Sequence, residues 1–264
     1  MFKLSKAILL LSVLTITLNA GNLINEKECK LKGEGYIYAG GECIQYYLSE
    51  GEKESEINII VHGTWDEGTN TLGRYAPFAD NISMETDITT IAVALPGYSH
   101  SSTNNFPALS NKSVKNLAAN KKYIQFLSDL VTKLKTKYQA KKVNYIGHSA
   151  GAFMGSTLTG FTPGLINIMV SAGAGYDIHS KVKNSKNLIS LIDYIDNIDK
   201  NIKFLLIYGT KDKISKPKVT KDYYNILKTK GYNVKLVEVV DAPHIDLDMT
   251  DTAVEAITEI LEEE

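Results

Sequence analysis

The sequence predicts a doubly wound α/β fold on a mostly parallel sheet, and three observations carry that prediction. Five runs, 89–95, 143–146, 165–170, 202–208 and 234–240, are continuously apolar or β-branched, as in strands buried on both faces. Segments with apolar residues at helical spacing fall between and after these runs, so strands and helices alternate. The composition agrees: 44% hydrophobic and 22% charged residues, with 19 Gly in 264, exclude collagen-like, disordered and multi-span membrane classes. A chain of this length can bury one core without dividing.

Taken in order, the elements begin after an export signal. Lys3 and Lys6 precede an apolar run at 7–18, and Leu18-Asn19-Ala20 closes it on a small residue, the order of a secretory signal peptide. The run is shorter than the ~20 residues that span a bilayer core. No Cys follows it at once, so a lipid anchor is not suggested; an uncleaved anchor is the alternative reading. The expected organisation is a signal peptide at 1–20 and one domain at 21–264, exported to the periplasm or beyond, without stable membrane insertion after cleavage. Cys29 and Cys43 are the only cysteines and lie fourteen positions apart. In an oxidising compartment they read as one local disulfide, since the chain has no C-x-x-C pair.

Runs 43–48 and 57–61, joined by a polar turn, predict an antiparallel start to the sheet. One long helix is expected from Val114, Leu117, Ile124, Leu127, Val131, Leu134 and Tyr138. A short helix is expected at 188–198, and amphipathic helices at 222–229 and 250–264. Lys+Arg 29 against Asp+Glu 30 leaves a net charge of −1, so there is no basic field to hold nucleic acid.

Parallel sheets place their sites in the loops after the strands' C-terminal ends. Those loops read His62-Gly63-Thr64-Trp65, Pro96-Gly97-Tyr98-Ser99-His100, Gly147-His148-Ser149-Ala150-Gly151, Ser171-Ala172-Gly173 onward to Asp177, Gly209-Thr210-Lys211-Asp212 and Asp241-Ala242-Pro243-His244. G-x-S-x-G is weak alone, but here it follows a buried strand and opens a small-residue segment able to be a helix. That is the setting of a nucleophile elbow, with Ser149 at its tip. A serine at its free pKa needs a base, and the base needs an orienting carboxylate. His244 fits the base and Asp212 the acid, with Asp177 as the alternative acid. His148, next to the nucleophile, cannot reach round to serve as its base. There is no H-E-x-x-H, cysteine cluster, acidic calcium loop, G-x-G-x-x-G or Walker pattern, so neither a metal nor a nucleotide cofactor is expected.

On these residues the chain resembles the α/β-hydrolase superfamily over nearly all of 21–264. The resemblance implies an eight-stranded, mostly parallel sheet and a Ser-His-Asp triad at its C-terminal edge. In that family the loop opened by His-Gly supplies one oxyanion-hole amide, which points to Thr64, with Trp65 as runner-up. The second amide would be that of Ala150, and His62 would brace the loop. The interval between runs 165–170 and 202–208 is only about thirty residues, which leaves room for little or no cap. Trp65, Tyr98, Phe106, Phe153 and His148 are candidate pocket residues. A serine rather than Cys or Asp at the elbow argues against dienelactone-hydrolase and dehalogenase chemistry. The expected function is hydrolysis of a small carboxylic ester. A peptidase-like amide hydrolase and a non-catalytic binding protein of the same fold are the alternatives.

Overall fold

Alternation along the central strands decides the layering. The computed structural model describes residues 23–65, 69–99, 116–183 and 185–263. The signal segment, His100, Phe106 and Val114 lie outside them. The strands are β1 (Tyr36–Ala39), β2 (Glu42–Ser49), β3 (Lys53–Val61), β4 (Ile88–Val93), β5 (Lys142–His148), β6 (Ile168–Ala172), β7 (Lys203–Gly209) and β8 (Asn233–Val239). The helices are α1 (Glu26–Leu31), α2 (Thr71–Thr86), α3 (Lys121–Lys137), α4 (Ala150–Phe161), α5 (Pro217–Thr229) and α6 (Asp251–Glu262). The strands form one eight-stranded sheet in the order β1-β2-β4-β3-β5-β6-β7-β8. From β4 to β8 every neighbouring pair is parallel; β1–β2 and β2–β4 are antiparallel.

Ile59 and Val61 face one core with Ile91, Val93, Tyr145, Met169, Phe204 and Leu206, covered by α3, α4 and α5. Ile60 faces the other with Ile146, Val170, Leu205 and Ile207, beneath α2 and α6. Because side chains alternate, a one-residue slip would move each strand's apolar set into the wrong layer. A buried polar rung also marks the register. Asn144 Nδ2 donates to Asn58 Oδ1 at 3.1 Å, and Asn58 Nδ2 donates to Thr90 Oγ1 at 3.0 Å, across three neighbouring strands.

Helix starts follow the capping residues. Asn25 and Glu28 form a capping box on α1, and Asn70, Asn120 and Thr250 cap α2, α3 and α6 through their side chains. Pro217 opens α5, where its missing N–H costs nothing. The Cys29–Cys43 disulfide, S–S 2.02 Å, ties α1 to β2. Closing a loop of that length contributes about 3 kcal/mol in the chain-entropy model.

Several expectations from sequence are corrected by the fold. Runs 43–48 and 57–61 are strands β2 and β3, and the sheet does start antiparallel, but through β1–β2 and β2–β4 and not by pairing β2 with β3. The hairpin partner of β2 is β1, and β4 lies between β2 and β3. The β1–β2 turn is Gly40-Gly41, both at positive φ (56° and 87°), the geometry that a two-residue hairpin needs. Helix α2 has no counterpart in the periodicity reading: Gly73 and Pro77 stand inside it and break the pattern that its buried Leu72, Tyr75, Phe78 and Ile82 would otherwise show. The helix expected at 188–198 is two 3₁₀ turns, Leu191–Asp193 and Ile195–Asn197. That connection between β6 and β7 is pinned rather than capped. Ile189 N–H donates to Ala119 O at 2.7 Å, and His179 bridges Ser185 Oγ (2.5 Å) and the Asp193 carboxylate (2.9 Å).

Where α4 crosses the end of β3 the backbones nearly touch. A Cβ on Gly151 would lie 2.1 Å from Val61 O, on a central strand that cannot withdraw. Gly151→Ala is therefore expected to cost about 3 kcal/mol or more, as severe overpacking does. Thermal unfolding followed by circular dichroism should show Tm lower by roughly 6–12 °C for a domain of this size. An unchanged Tm would contradict the contact.

Candidate active site

Three strand ends converge at one point. Ser149 follows β5, Asp212 follows β7 and His244 follows β8. Ser149 has φ 52° and ψ −113°, a sparsely populated conformation held by the sharp turn from strand to helix. The turn is possible because its flanks are bare: a Cβ on Gly147 would meet the Ala152 backbone at 2.7 Å, as Gly151 would meet Val61. Ser149 occupies the N-cap position of α4, yet its hydroxyl caps no helix amide. It donates instead to His244 Nε2 at 2.8 Å. His244 Nδ1–H donates to Asp212 Oδ2 at 2.8 Å, and this bond leaves Nε2 as the acceptor.

Asp212 is held from behind. Its Oδ1 accepts the N–H groups of Ile214 and Ser215, each at 2.8 Å, and its side chain has no exposed surface. Asp212 thus holds its own turn through Oδ1 and His244 through Oδ2. Asp177 is engaged elsewhere, its Oδ1 accepting from His179 N–H at 2.8 Å and Ser180 N–H at 3.3 Å.

The Ala150 amide opens α4, where first-turn N–H groups have no intrahelical acceptor and the helix dipole favours negative charge. Thr64 is exposed on the loop after β3, and neighbouring Gly63 approaches Ser149 so closely that an added Cβ would lie 2.9 Å from Ser149 Cβ. His62 braces that loop: its Nδ1–H donates to Gly63 O at 2.7 Å and its Nε2 accepts Leu95 N–H at 3.1 Å. Burial pushes the His62 imidazole down to about 4.

That depression makes a pH prediction. A histidine near 6.5 when unfolded and near 4 when folded binds its proton first in the unfolded chain, so its stabilisation is complete above 6.5 and lost as pH falls towards 4. The loss attributable to His62 between pH 7 and 4.5 is on the order of 2 kcal/mol. Asp248, whose carboxyl is raised by burial, acts with the opposite sign. Urea unfolding at the two pH values should show a smaller acid loss in His62→Gln than in the unaltered protein. Equal losses would contradict the assignment.

The candidate pocket residues occupy different environments. Tyr98 is buried and packs edge-on against Tyr123, ring centroids 5.8 Å apart, which makes it a core residue. Phe153 is a partly buried residue of α4 packed against the larger core. Trp65 is half-buried beneath the guanidinium of Arg74, 4.4 Å above its ring, and Arg74 pairs with Asp246. His148 lines no open pocket; it is 4% exposed, and its Nε2–H donates to His244 O at 2.8 Å. Arg74, Asp246 and Asp248 near this centre carry no motif. Asp248 stands four positions after His244, a spacing with meaning only once the 3₁₀ turn Leu247–Met249 is seen. Among the described residues no group of three or more His, Cys, Asp or Glu side chains is arranged to hold a metal ion, and no helix is long and apolar enough to cross a membrane.

The sheet order, the strand–turn–helix at Ser149 and the convergence of the three strand ends define an α/β-hydrolase fold. The model of the alpha/beta hydrolase fold family matches residues 59–192, just over half the chain, and the chain belongs to that family. The matched region includes Ser149 and ends before Asp212 and His244. Among solved structures the chain is similar to the Pyrococcus furiosus esterase Pf2001, at 17% identity and TM-score 0.66, over 86% of this chain and 90% of that one. It is similar to Est1E of Butyrivibrio proteoclasticus with bound ferulic acid, at 15% identity and TM-score 0.58, over 86% and 96%. It is also similar to a candidate dipeptidyl aminopeptidase IV from Bacteroides ovatus, at 16% identity and TM-score 0.64, over 86% of this chain. There it spans only 35% of the other protein's length. No curated protein is significantly similar to the chain. At these identities the likeness is one of fold.

Proposed function

We propose that the chain is an exported serine hydrolase that cleaves a small carboxylic ester through an acyl-enzyme. The observation that carries the proposal is the hydrogen-bonded series Ser149 Oγ, His244, Asp212, with both links at 2.8 Å. Ser149 Oγ attacks the ester carbonyl as His244 Nε2 takes its proton, and the carbonyl π pair moves onto oxygen. The amides of Thr64 and Ala150 face that developing charge; one such donor is worth about 3 kcal/mol. The oxyanion collapses, the C–O bond to the leaving group breaks, and the imidazolium gives its proton to the departing alkoxide. Water, deprotonated by His244, then releases the acid and regenerates Ser149. Asp212 keeps the His244 tautomer correct and stabilises the imidazolium without accepting its proton.

The connection of residues 173–202 holds no α-helix among its described residues, so that connection supplies no helical cap to bury a long acyl chain, which favours small ester substrates. Likeness to two esterase structures supports the same reading, and likeness to the candidate aminopeptidase supports amide cleavage as the second. Export is supported by the apolar N-terminal run with its lysines and by the Cys29–Cys43 disulfide. A series of p-nitrophenyl esters from acetate to octanoate, set against a panel of aminoacyl anilides, separates the two. Ester turnover well above anilide turnover is expected, with kcat/KM falling as the acyl chain lengthens. Preferential anilide cleavage would transfer the proposal to the peptidase reading.

A further inference from the structure

A second histidine–aspartate contact lies directly behind the proposed base. We infer that His148 and Asp248 form a positioning pair that sets His244 by its main chain, an inference that rests on His244 being the base of a serine hydrolase. His148 ends β5, immediately before Ser149, and its ring lies 5.0 Å from that of His244. Its Nε2 is 2.8 Å from the His244 carbonyl oxygen. A carbonyl only accepts, so Nε2 carries hydrogen. The other ring nitrogen, Nδ1, faces Asp248 Oδ1 at 3.9 Å.

Both of those atoms are buried, in side chains 4% and 1% exposed, and neither has a hydrogen-bond partner. Two lone pairs facing each other in a dry site are costly, and a lone buried carboxylate is more so. One proton therefore belongs to the pair, on Nδ1 or on Oδ1. Burial raises the Asp248 carboxyl, and the neighbouring His148 opposes the rise. The other charged or titratable groups turned toward this pair are His62 just after β3, Arg74 and Tyr75 on α2, and Asp246 in the same turn.

The consequence is geometric. His244 lies between exposed Pro243 and Ile245, while Ala242 and Leu247 on either side are buried in the core. Asp212 sets the ring, and the His148 contact fixes the main chain at His244 itself. The turn from His244 to Asp248 folds over His148, accepting from its Nε2 at the His244 carbonyl and turning the Asp248 carboxylate toward its Nδ1. The residue next to the nucleophile thus holds the main chain of the base, and the two are placed relative to each other by one rigid strand. Neither His148 nor Asp248 touches the reacting atoms, so both are positioning residues.

The test compares His148→Phe, which keeps a ring but loses the donor, with Asp248→Leu and the conservative Asp248→Asn, whose amide can donate to Nδ1. Active sites are counted with a fluorophosphonate, and kcat and KM are measured on p-nitrophenyl acetate per titrated site. His148→Phe and Asp248→Leu are expected to lower kcat about 10- to 100-fold with KM nearly unchanged, as small misplacements of a catalytic group do. Asp248→Asn should recover most of the rate. Unchanged kcat per titrated site, even with a lower Tm, would overturn the inference, as would a rise in KM with kcat held. Should the variants not fold, imidazole ¹⁵N resonances of the unaltered protein give the answer: a protonated Nε2 on His148 in slow exchange is expected, and the Nδ1–H tautomer would overturn it. If the unaltered protein neither turns over the ester nor takes the fluorophosphonate, the hydrolase reading fails first and takes the inference with it.

Discussion

Ser149→Ala is expected to lower kcat on a p-nitrophenyl ester by on the order of 10⁴- to 10⁶-fold, the loss seen when a serine nucleophile is removed from an acting triad. The fold should persist. Alanine keeps the Cβ that Ser149 already carries at φ 52°, and the hydroxyl makes no helix cap whose loss would weaken α4. Its hydrogen bond to His244 is part-buried, so its removal should move Tm by only a few degrees. Activity gone with Tm nearly unchanged separates chemistry from stability. Retained turnover in Ser149→Ala would place the nucleophile elsewhere.

The second large effect is expected at Asp212. Asp212→Asn should reduce kcat by about 10³- to 10⁴-fold, because the amide can present N–H to His244 Nδ1 and stabilise the tautomer that points a hydrogen at Ser149. The position is sensitive for another reason. Oδ1 accepts two backbone amides at 2.8 Å, so the amide group is steered to turn its oxygen to the loop and its nitrogen to the histidine. Asp177→Asn should leave kcat within about twofold, since Asp177 is bonded to His179 and Ser180 in its own turn. Steady-state kinetics on the two variants decide between the carboxylates. Loss in Asp177→Asn with activity kept in Asp212→Asn would reverse the assignment.

Much of the sheet was readable as continuous apolar runs, because β3 to β7 are covered on both faces and water leaves no polar alternation there. The runs misplace ends by a residue or more. At 165–170, Leu165 and Ile166 are buried before β6 begins, and burial alone cannot tell a strand from its approach. Strand β1 was hidden because four residues between glycines give no period. Helix α2 was hidden by Gly73 and Pro77, whose local preference is overridden by burial of Tyr75, Phe78 and Ile82 under the sheet. The pairing of β2 could not be read from proximity in sequence, since β4 reaches it only after the α2 crossover.

The site divides the same way. Ser149, Asp212 and His244 could be picked out because each follows a strand whose C-terminal end the fold gathers at one edge. Their hydrogen bonds then depend on residue types that the sequence states outright. His148, Asp248, Arg74 and Asp246 obey no such rule. His148 stands beside the elbow but turns inward, and its partner is chosen by how the turn after His244 folds. The pocket residues were legible only as aromatic types, and Tyr98 shows the weakness of that signal, because packing against Tyr123 claims it for the core.

The proposed hydrolysis requires Ser149 to be an activated nucleophile in the folded protein. The direct measurement is incubation of the native chain with a fluorophosphonate, followed by intact mass and peptide mapping. One adduct per chain is expected, on Ser149, absent from Ser149→Ala and from protein unfolded before exposure. An unlabelled folded protein, or an adduct on another serine such as Ser185 beside His179, would contradict the account.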